Sequence, residues 1–267
     1  MFSQNERDEL LDVVNALADA ARKITLRYFR APDLQADNKL NDGFDPVTVA
    51  DREAEMAIRE ILAKRRPDDA ILGEEFGNKA GTSGLTWVID PIDGTRAFIS
   101  GIPSWGVLIG LDAGTGPVLG VVDQPYMGER FVGAFGRASL ATREGTRDIA
   151  SSTCETLGDA TLMSTFPEVG TATERLGFEA VRDCVKLTRY GLDCYAYALL
   201  AMGQIDLVIE AGLNAYDVQG PIGVIQAAGG TVTDWQGGPA HNGGRILAAG
   251  NATLHTQALD ILSKFAG

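Results

Sequence analysis

Three cysteines and two histidines among 267 residues exclude several kinds of chemistry. Cys154, Cys184 and Cys194 form no close pair in sequence, and an odd number cannot all be bridged within one chain. Free thiols in a reducing cytoplasm account for them, and no catalytic cysteine is expected. His241 and His255 are too few for a histidine metal cage, and a Ser-His-Asp triad has little to draw on. No apolar run approaches the ~20 residues of a membrane span. The N-terminal stretch from Met1 to Asp8 is charged, so no secretory signal is expected. Cationic residues are also outnumbered: 23 Lys and Arg stand against 36 Asp and Glu, for a net charge of −13. That balance argues against nucleic-acid and anionic-membrane partners. It would repel a phosphorylated substrate too, unless cations and helix N-termini reverse the sign locally. The abundant reactive group is the carboxylate.

With 45% hydrophobic residues the chain reads as a soluble globular protein of one large domain or two closely joined ones. Leu10, Leu11, Val13, Val14, Leu17, Ala21, Ile24 and Tyr28 predict a helix over 6–30, ended by Pro32. The polar loop 33–45, which holds Lys39, is the expected mobile segment. A second amphipathic helix follows Asp51, with Ala54, Ala57, Ile58, Ile61 and Leu62 inward, and stops before Pro67. Residues 70–75 read as a strand ending on Glu74 and Glu75, and 78–84 as a loop. Strands over 105–111, 118–123 and 130–135 predict an antiparallel meander, followed by a polar, weakly patterned stretch over 137–152. Beyond residue 160, strands are expected at 161–164, 185–188, 205–210, 231–234 and 245–249. They alternate with helices over 173–184, 193–202, 217–228 and 253–265, Pro221 falling in the first turn of its helix. A seam near residue 150 separates an α+β half (1–150) from an α/β half (151–267), without a free linker.

The most informative stretch is Trp87-Val88-Ile89-Asp90-Pro91-Ile92-Asp93-Gly94-Thr95. The apolar run reads as a buried strand ending at Asp90, where Pro91 forbids further ladder pairing. Asp90 and Asp93 then face one point across a turn, while Gly94 and Thr95 expose N–H groups at a helix start. Paired carboxylates invite a hard cation and a helix start invites an anion, as metal-assisted phosphate chemistry requires. An ordinary surface turn uses the same residue types. Glu74, Asp51 and Asp217 also stand at strand ends or helix starts, where ligands collect in mixed α/β folds. Each has an alternative reading as a helix cap or a solvated turn acid.

Gly73-Glu74-Glu75, Asp90-Pro91-Ile92-Asp93-Gly94-Thr95 and Tyr216-Asp217 followed by Ala227-Ala228-Gly229-Gly230 together resemble the inositol monophosphatase family of magnesium-dependent phosphatases. The motifs run in the family's order over about residues 10–260. Arg96 to Gly101 and Arg189 to Tyr195 resemble its histidinol-phosphate phosphatase branch, inositol-phosphate members more often having Asn in place of Arg96. The resemblance implies a layered αβαβα sandwich and two or three Mg²⁺ ions per site. The implied ligands are Glu74, Asp90, the carbonyl of Ile92, Asp93 and Asp217. It assigns Asp51 and Thr95 to activation of the attacking water, with Glu74 at the same catalytic centre. Asp93, Gly94 and Thr95 would contact substrate, Gly94 and Thr95 through phosphate.

Glu210 matches a leaving-group position, its other reading being a solvated acid after the strand over 205–209. An aminated leaving group would favour Glu210 and Asp193. Arg189 either touches phosphate or pairs with an acid, and Lys39 either lies near the metals or is a solvated loop charge. Trp105 and Tyr195 read as core. The implied activity is hydrolysis of L-histidinol phosphate in histidine biosynthesis by a cytoplasmic homodimer acting on a small metabolite. Alternatives are an inositol-1-phosphate or broad-range sugar-phosphate phosphatase, and an inactive metal-binding regulatory homologue. Two departures from the branch bear on substrate: Asn214-Ala215 replaces a common Pro before Tyr216-Asp217, and Gln226 a Glu before Ala-Gly-Gly.

Overall fold

Ser3 starts the first helix by a reciprocal cap, its Oγ accepting from the Glu6 N–H while the Glu6 carboxylate accepts from the Ser3 N–H. The protein is seen as a computed structural model that describes residues 2–32, 34, 36–38 and 46–267. Helix α1 (Gln4–Tyr28) buries Leu10, Val13, Val14, Leu17 and Ala21 along one stripe. Two short strands, β1 (Ala36–Asn38) and β2 (Pro46–Thr48), pair antiparallel and lead into α2 (Val49–Arg65). Lys39 and most of the expected mobile loop lie outside the described residues.

Eight strands form the larger sheet: β3 (Ala70–Gly73), β4 (Gly77–Lys79), β5 (Thr86–Asp93), β6 (Gly106–Asp112), β7 (Pro117–Gln124), β8 (Glu129–Ala134), β9 (Arg137–Thr142) and β10 (Gly145–Asp148). Their order is β10-β9-β8-β7-β6-β5-β3-β4, antiparallel except between β3 and β5. The expected meander is β6–β8. The polar stretch after it is not loop but the hairpin β9–β10, in which Ala138 and Leu140 alone turn inward. Two buried residues are too few to show a period.

A short helix, α3 (Thr95–Ile99), follows β5. The smaller sheet contains β11 (Thr161–Ser164), β12 (Leu187–Tyr190), β13 (Leu207–Asn214), β14 (Thr231–Thr233) and β15 (Gly243–Ala249), in the order β12-β11-β13-β15-β14. Its helices are α4 (Ala172–Arg182), α5 (Tyr195–Ala201), α6 (Ala215–Ala227) and α7 (Ala252–Leu262). The strand expected at 185–188 begins at Leu187, because Cys184 and Val185 still donate to Val181 and Arg182 at the end of α4.

Five layers result. Helices α1 and α2 pack on the outer face of the larger sheet through Leu17, Ile58, Trp87 and Ile109. Between the sheets lie α5 and α6, with Leu200, Val224 and Ile225 against Leu108 and Phe131 on one side and Val208 and Ile246 on the other. On the far face of the smaller sheet, α4 and α7 bury Phe178, Val181, Leu254 and Ala258. Each large apolar side chain so enclosed contributes roughly 1.5–3 kcal/mol. The architecture is the expected αβαβα sandwich.

Two prolines depart from expectation for reasons of packing. Strand β5 does not stop at Asp90 but runs to Asp93, with a register jump between Asp90 and Asp93 against β6 that accommodates Pro91. Helix α6 starts at Ala215, so Pro221 lies in its interior rather than its first turn. The helix there rests directly on the sheet: a Cβ on Gly120 would fall 2.1 Å from the Gly220 carbonyl. That close contact holds α6 despite the backbone hydrogen bond that Pro221, with no N–H, cannot make.

Candidate functional site

The bulge in β5 turns Asp90 and Asp93 toward one end of the sheet. Asp90 is buried, and its Oδ1 accepts the N–H of Ile92 at 3.0 Å, closing a turn across Pro91. Gly94 follows with φ +80°, a left-handed conformation that reverses the chain into α3. Asp217 arrives from the opposite side, in the first turn of α6, where its Oδ2 accepts the Asn214 N–H at 2.6 Å. Carboxylate oxygens of Asp90, Asp93 and Asp217 lie within 4.8 Å of one another. Glu74, on the loop after β3, borders the same cavity and acts electrostatically on Asp90 and Asp217.

Like charges so crowded are disfavoured. Burial holds the Asp90 and Asp93 carboxyls well above the ordinary value of 3.8. Glu74, Asp93 and Asp217 add to this at Asp90, and Asp217 and Asp193 at Asp93. Burial likewise raises Asp217 to about 7, with Glu74 adding to it. A cation at this point would relieve both burdens, and an all-oxygen donor set suits a hard divalent ion.

Asp51 stands behind the acids at the start of α2. Its Oδ2 caps the helix, accepting from the Thr48 N–H at 2.8 Å and the Thr48 hydroxyl at 2.6 Å. Its Oδ1 faces Thr95, whose hydroxyl lies 3.5 Å away and 3.1 Å from the Ile92 carbonyl. Burial raises Asp51 to about 6. The cap read from sequence is therefore present through Oδ2, while Oδ1 is directed at Thr95.

The cavity, about 330 Å³, extends from this corner toward the smaller sheet. Asp193 forms one wall at φ +46°, with its Oδ2 accepting from the Ser104 hydroxyl at 2.5 Å. Burial raises its pKa, opposed by Ser104 and by Arg96. The next residue fastens this wall to β5, as the Cys194 N–H donates to Asp93 Oδ2 at 2.8 Å. Glu210 is not the solvated acid of its alternative reading: it is inside β13 and buried. Its Oε1 accepts from the N–H and hydroxyl of Thr165, and its Oε2 from the Tyr197 hydroxyl at 2.9 Å. Burial raises the Glu210 pKa against these bonds. At the rim the Arg96 guanidinium lies over the Phe166 ring, 5.7 Å from its centroid.

The structure thus brings Glu74, Asp90, Ile92, Asp93, Gly94, Thr95, Asp193, Glu210 and Asp217 to one cavity. Arg189 is elsewhere, exposed on β12 and outside the cavity lining. Trp105 is fully buried among Phe29 and Phe98, and Tyr195 packs at the core edge with its hydroxyl on Glu129. Thr165, Phe166, Glu168 and Tyr197 were not singled out from sequence. Thr165 and Phe166 follow β11 directly, so the strand-end rule that found Glu74 applied equally to them.

Carboxylates converging on a strand bulge in a layered α/β chain form a corner suited to a hard cation. Residues 6–264 match the Inositol monophosphatase family over nearly the whole chain, and the protein belongs to that family. The chloroplastic bifunctional phosphatase IMPL2 of Arabidopsis thaliana is 41% identical over 272 residues, spanning 98% of this chain and 77% of that protein. A histidinol-phosphatase of Mycobacterium tuberculosis is 36% identical, with 93% of this chain and 95% of that one covered. The solved inositol monophosphatase of Zymomonas mobilis superposes with a TM-score of 0.85 at 39% identity, over 98% of this chain and 100% of that structure. None of the described helices is long and apolar enough to cross a membrane.

Proposed function

We propose that the chain hydrolyses L-histidinol phosphate to L-histidinol and phosphate, with Mg²⁺ at the carboxylate cluster. The observation that carries the substrate choice is the acidity of the wall facing the phosphate corner, where Asp193, Glu210 and Glu168 line the cavity beside Phe166 and Tyr197. Acids placed there favour a leaving group bearing an amine and an imidazole, and the aromatic rings offer faces to its ring. The similarity to a histidinol-phosphatase supports the same reading.

Glu74, Asp90, the Ile92 carbonyl, Asp93 and Asp217 would hold the cation, which when bound supplies charge neutralisation and a more acidic water. The N–H groups at Gly94 and Thr95 would orient the phosphate, since Gly94 brings no side chain to cap α3. Asp51 is the proton acceptor: buried, raised to about 6, and directed at the Thr95 hydroxyl. A hydroxyl has one proton to donate, so Thr95 serves either the Ile92 carbonyl or Asp51 at a given moment. Donation to Asp51 leaves the Thr95 oxygen able to accept the proton of an in-line water. The cytoplasmic homodimer belongs to this proposal, and light scattering on the purified chain checks its dimeric part.

A neutral polyol phosphate is the second reading, favoured by the likeness to the Zymomonas mobilis inositol monophosphatase. Hydrolysis of histidinol phosphate and inositol-1-phosphate at matched Mg²⁺ decides between them. A higher kcat/KM for histidinol phosphate is expected, and a strong preference for inositol-1-phosphate would overturn the assignment.

A further inference from the structure

Glu55 has no part in the reading above, yet its carboxylate is fully buried on the inner face of α2. A carboxylate at that depth is costly unless its oxygens are bonded, so its partners are informative. They belong to the loop that presents Glu74. Strands β3 and β4 are joined by Glu74, Glu75 and Phe76, with Gly73 paired to Gly77 across the hairpin. Glu55 Oε2 accepts the Glu75 N–H at 2.7 Å, and Oε1 accepts the Phe76 N–H at 3.3 Å. Arg59, one turn further along α2, donates Nε to Glu55 Oε1 at 2.7 Å and Nη2 to the Gly77 carbonyl. The fit is close: a Cβ on Gly73 would fall 2.0 Å from Glu55 Oε1.

Among the four acids at the cluster, Glu74 alone lacks a regular element beneath it. Asp90 and Asp93 are in β5 and Asp217 is in the first turn of α6. Glu74 occupies a three-residue loop, and its N–H donates to the Ile89 carbonyl of the sheet at 3.2 Å. Both backbone donors that follow it go to Glu55, and the closing carbonyl goes to Arg59. We propose that Glu55, braced by Arg59, is a positioning residue that fixes the loop so that the Glu74 carboxylate is held toward the cation site. The proposal rests on Glu74 being a cation ligand. A purely structural role for the pair would stabilise the hairpin and leave the cation affinity where it is.

The test uses the full chain stripped of metal, with Mg²⁺ binding followed by calorimetry and folding by thermal melting. Glu55→Gln keeps the shape but presents an amide donor to one of two backbone donors. It is expected to weaken Mg²⁺ binding about tenfold or more, the range found for groups that orient ligands without touching the metal. A folded Glu55→Gln protein whose Mg²⁺ affinity stays within twofold of the parent overturns the proposal. Should Glu55→Gln not fold, Arg59→Met carries the decision, because Arg59 reaches the surface: weakening beyond twofold supports the brace, and less overturns it. Glu74→Gln serves as the reference. If it leaves Mg²⁺ affinity unchanged, Glu74 is no ligand, and the failure lies in the underlying reading rather than in the role of Glu55.

Discussion

The Thr95 hydroxyl stands 3.5 Å from Asp51 Oδ1, joining the starts of two helices that also share the apolar cluster of Ala50 and Phe98. Asp51 belongs to the first turn of α2, and Thr95 opens α3 after the β5 bulge. The other oxygen of Asp51 is occupied by Thr48, which fixes the carboxylate in rotation and leaves Oδ1 directed at Thr95. If Asp51 is the proton acceptor proposed above, a carboxylate held in this way needs little reorganisation before it acts.

Removing either member should therefore cost rate more than binding. Thr95→Ala is expected to lower kcat by roughly 10²–10⁴-fold, the usual worth of positioned proton transfer. Asp51→Asn should do the same and also weaken the reciprocal cap at the start of α2, its amide oxygen being a poorer acceptor for the Thr48 N–H than the carboxylate. Steady-state kinetics at saturating Mg²⁺, together with a melting curve for each variant, separate the two effects. A Thr95→Ala enzyme with nearly full kcat would remove the hydroxyl from the chemistry.

Asp93→Asn tests the cluster itself. Asp93 shares the crowded corner with Asp90 and Asp217 and also anchors the Cys194 N–H. An amide can still accept that N–H but cannot neutralise a cation. Turnover and divalent-ion binding are expected to fall together, and calorimetry with Mg²⁺ beside the activity assay checks this. Retained activity would exclude Asp93 as a ligand.

The raised acids make stability depend on pH in a definite direction. Asp51 is held at about 6 and Asp217 at about 7, each against an ordinary 3.8. Between ~pH 4 and ~pH 7 the folded chain thus keeps protons that the unfolded chain has released, so stability falls as pH rises through that window. Asp69 and Glu174, whose pKa values are lowered, act in the opposite sense at lower pH. Metal-free protein is expected to melt several degrees lower at about pH 8 than at about pH 5. Added Mg²⁺ should recover more stability at the higher pH, since it binds the ionised cluster. Scanning calorimetry across pH, with and without Mg²⁺, provides the check. A metal-free melting temperature that rises across the window would contradict the proposed cluster electrostatics.

The parts of this site legible in the sequence are those fixed by local chemistry. Asp90, Asp93 and Gly94 announce a special turn, and the apolar spacing of α1 and α2 shows which faces are inward. Pro91 and Pro221 misled for the same reason. Proline's effect on an isolated element predicts a stop or a first-turn position, while a register jump in one case and a helix seated on sheet backbone in the other make room for it. Contacts distant along the chain left no pattern to find. Thr165 on Glu210, Ser104 on Asp193 and Glu55 beneath the Glu74 loop arise only when the elements are packed together.

Glu210 is where substrate choice can be separated from catalysis. Its oxygens are held by the Thr165 N–H and hydroxyl and by the Tyr197 hydroxyl, so the carboxylate is fixed at the wall of the cavity rather than exposed to water. Burial raises its pKa, while these three donors favour the charged form. A cationic leaving group would add a charge-assisted bond that a neutral polyol cannot, with a typical net worth of about 1.5–3 kcal/mol. Glu210→Gln removes the charge and is expected to lower kcat/KM for histidinol phosphate by roughly 10- to 100-fold. Inositol-1-phosphate, measured on the same protein, should lose much less, since Gln keeps the shape of the side chain and a neutral substrate has no charge-assisted bond to lose. The ratio of the two losses is the informative quantity, because any loosening of β13 lowers both rates alike. Equal losses would mean that Glu210 supports the cavity wall without recognising the amine, leaving Asp193 and Glu168 as the acids to test next.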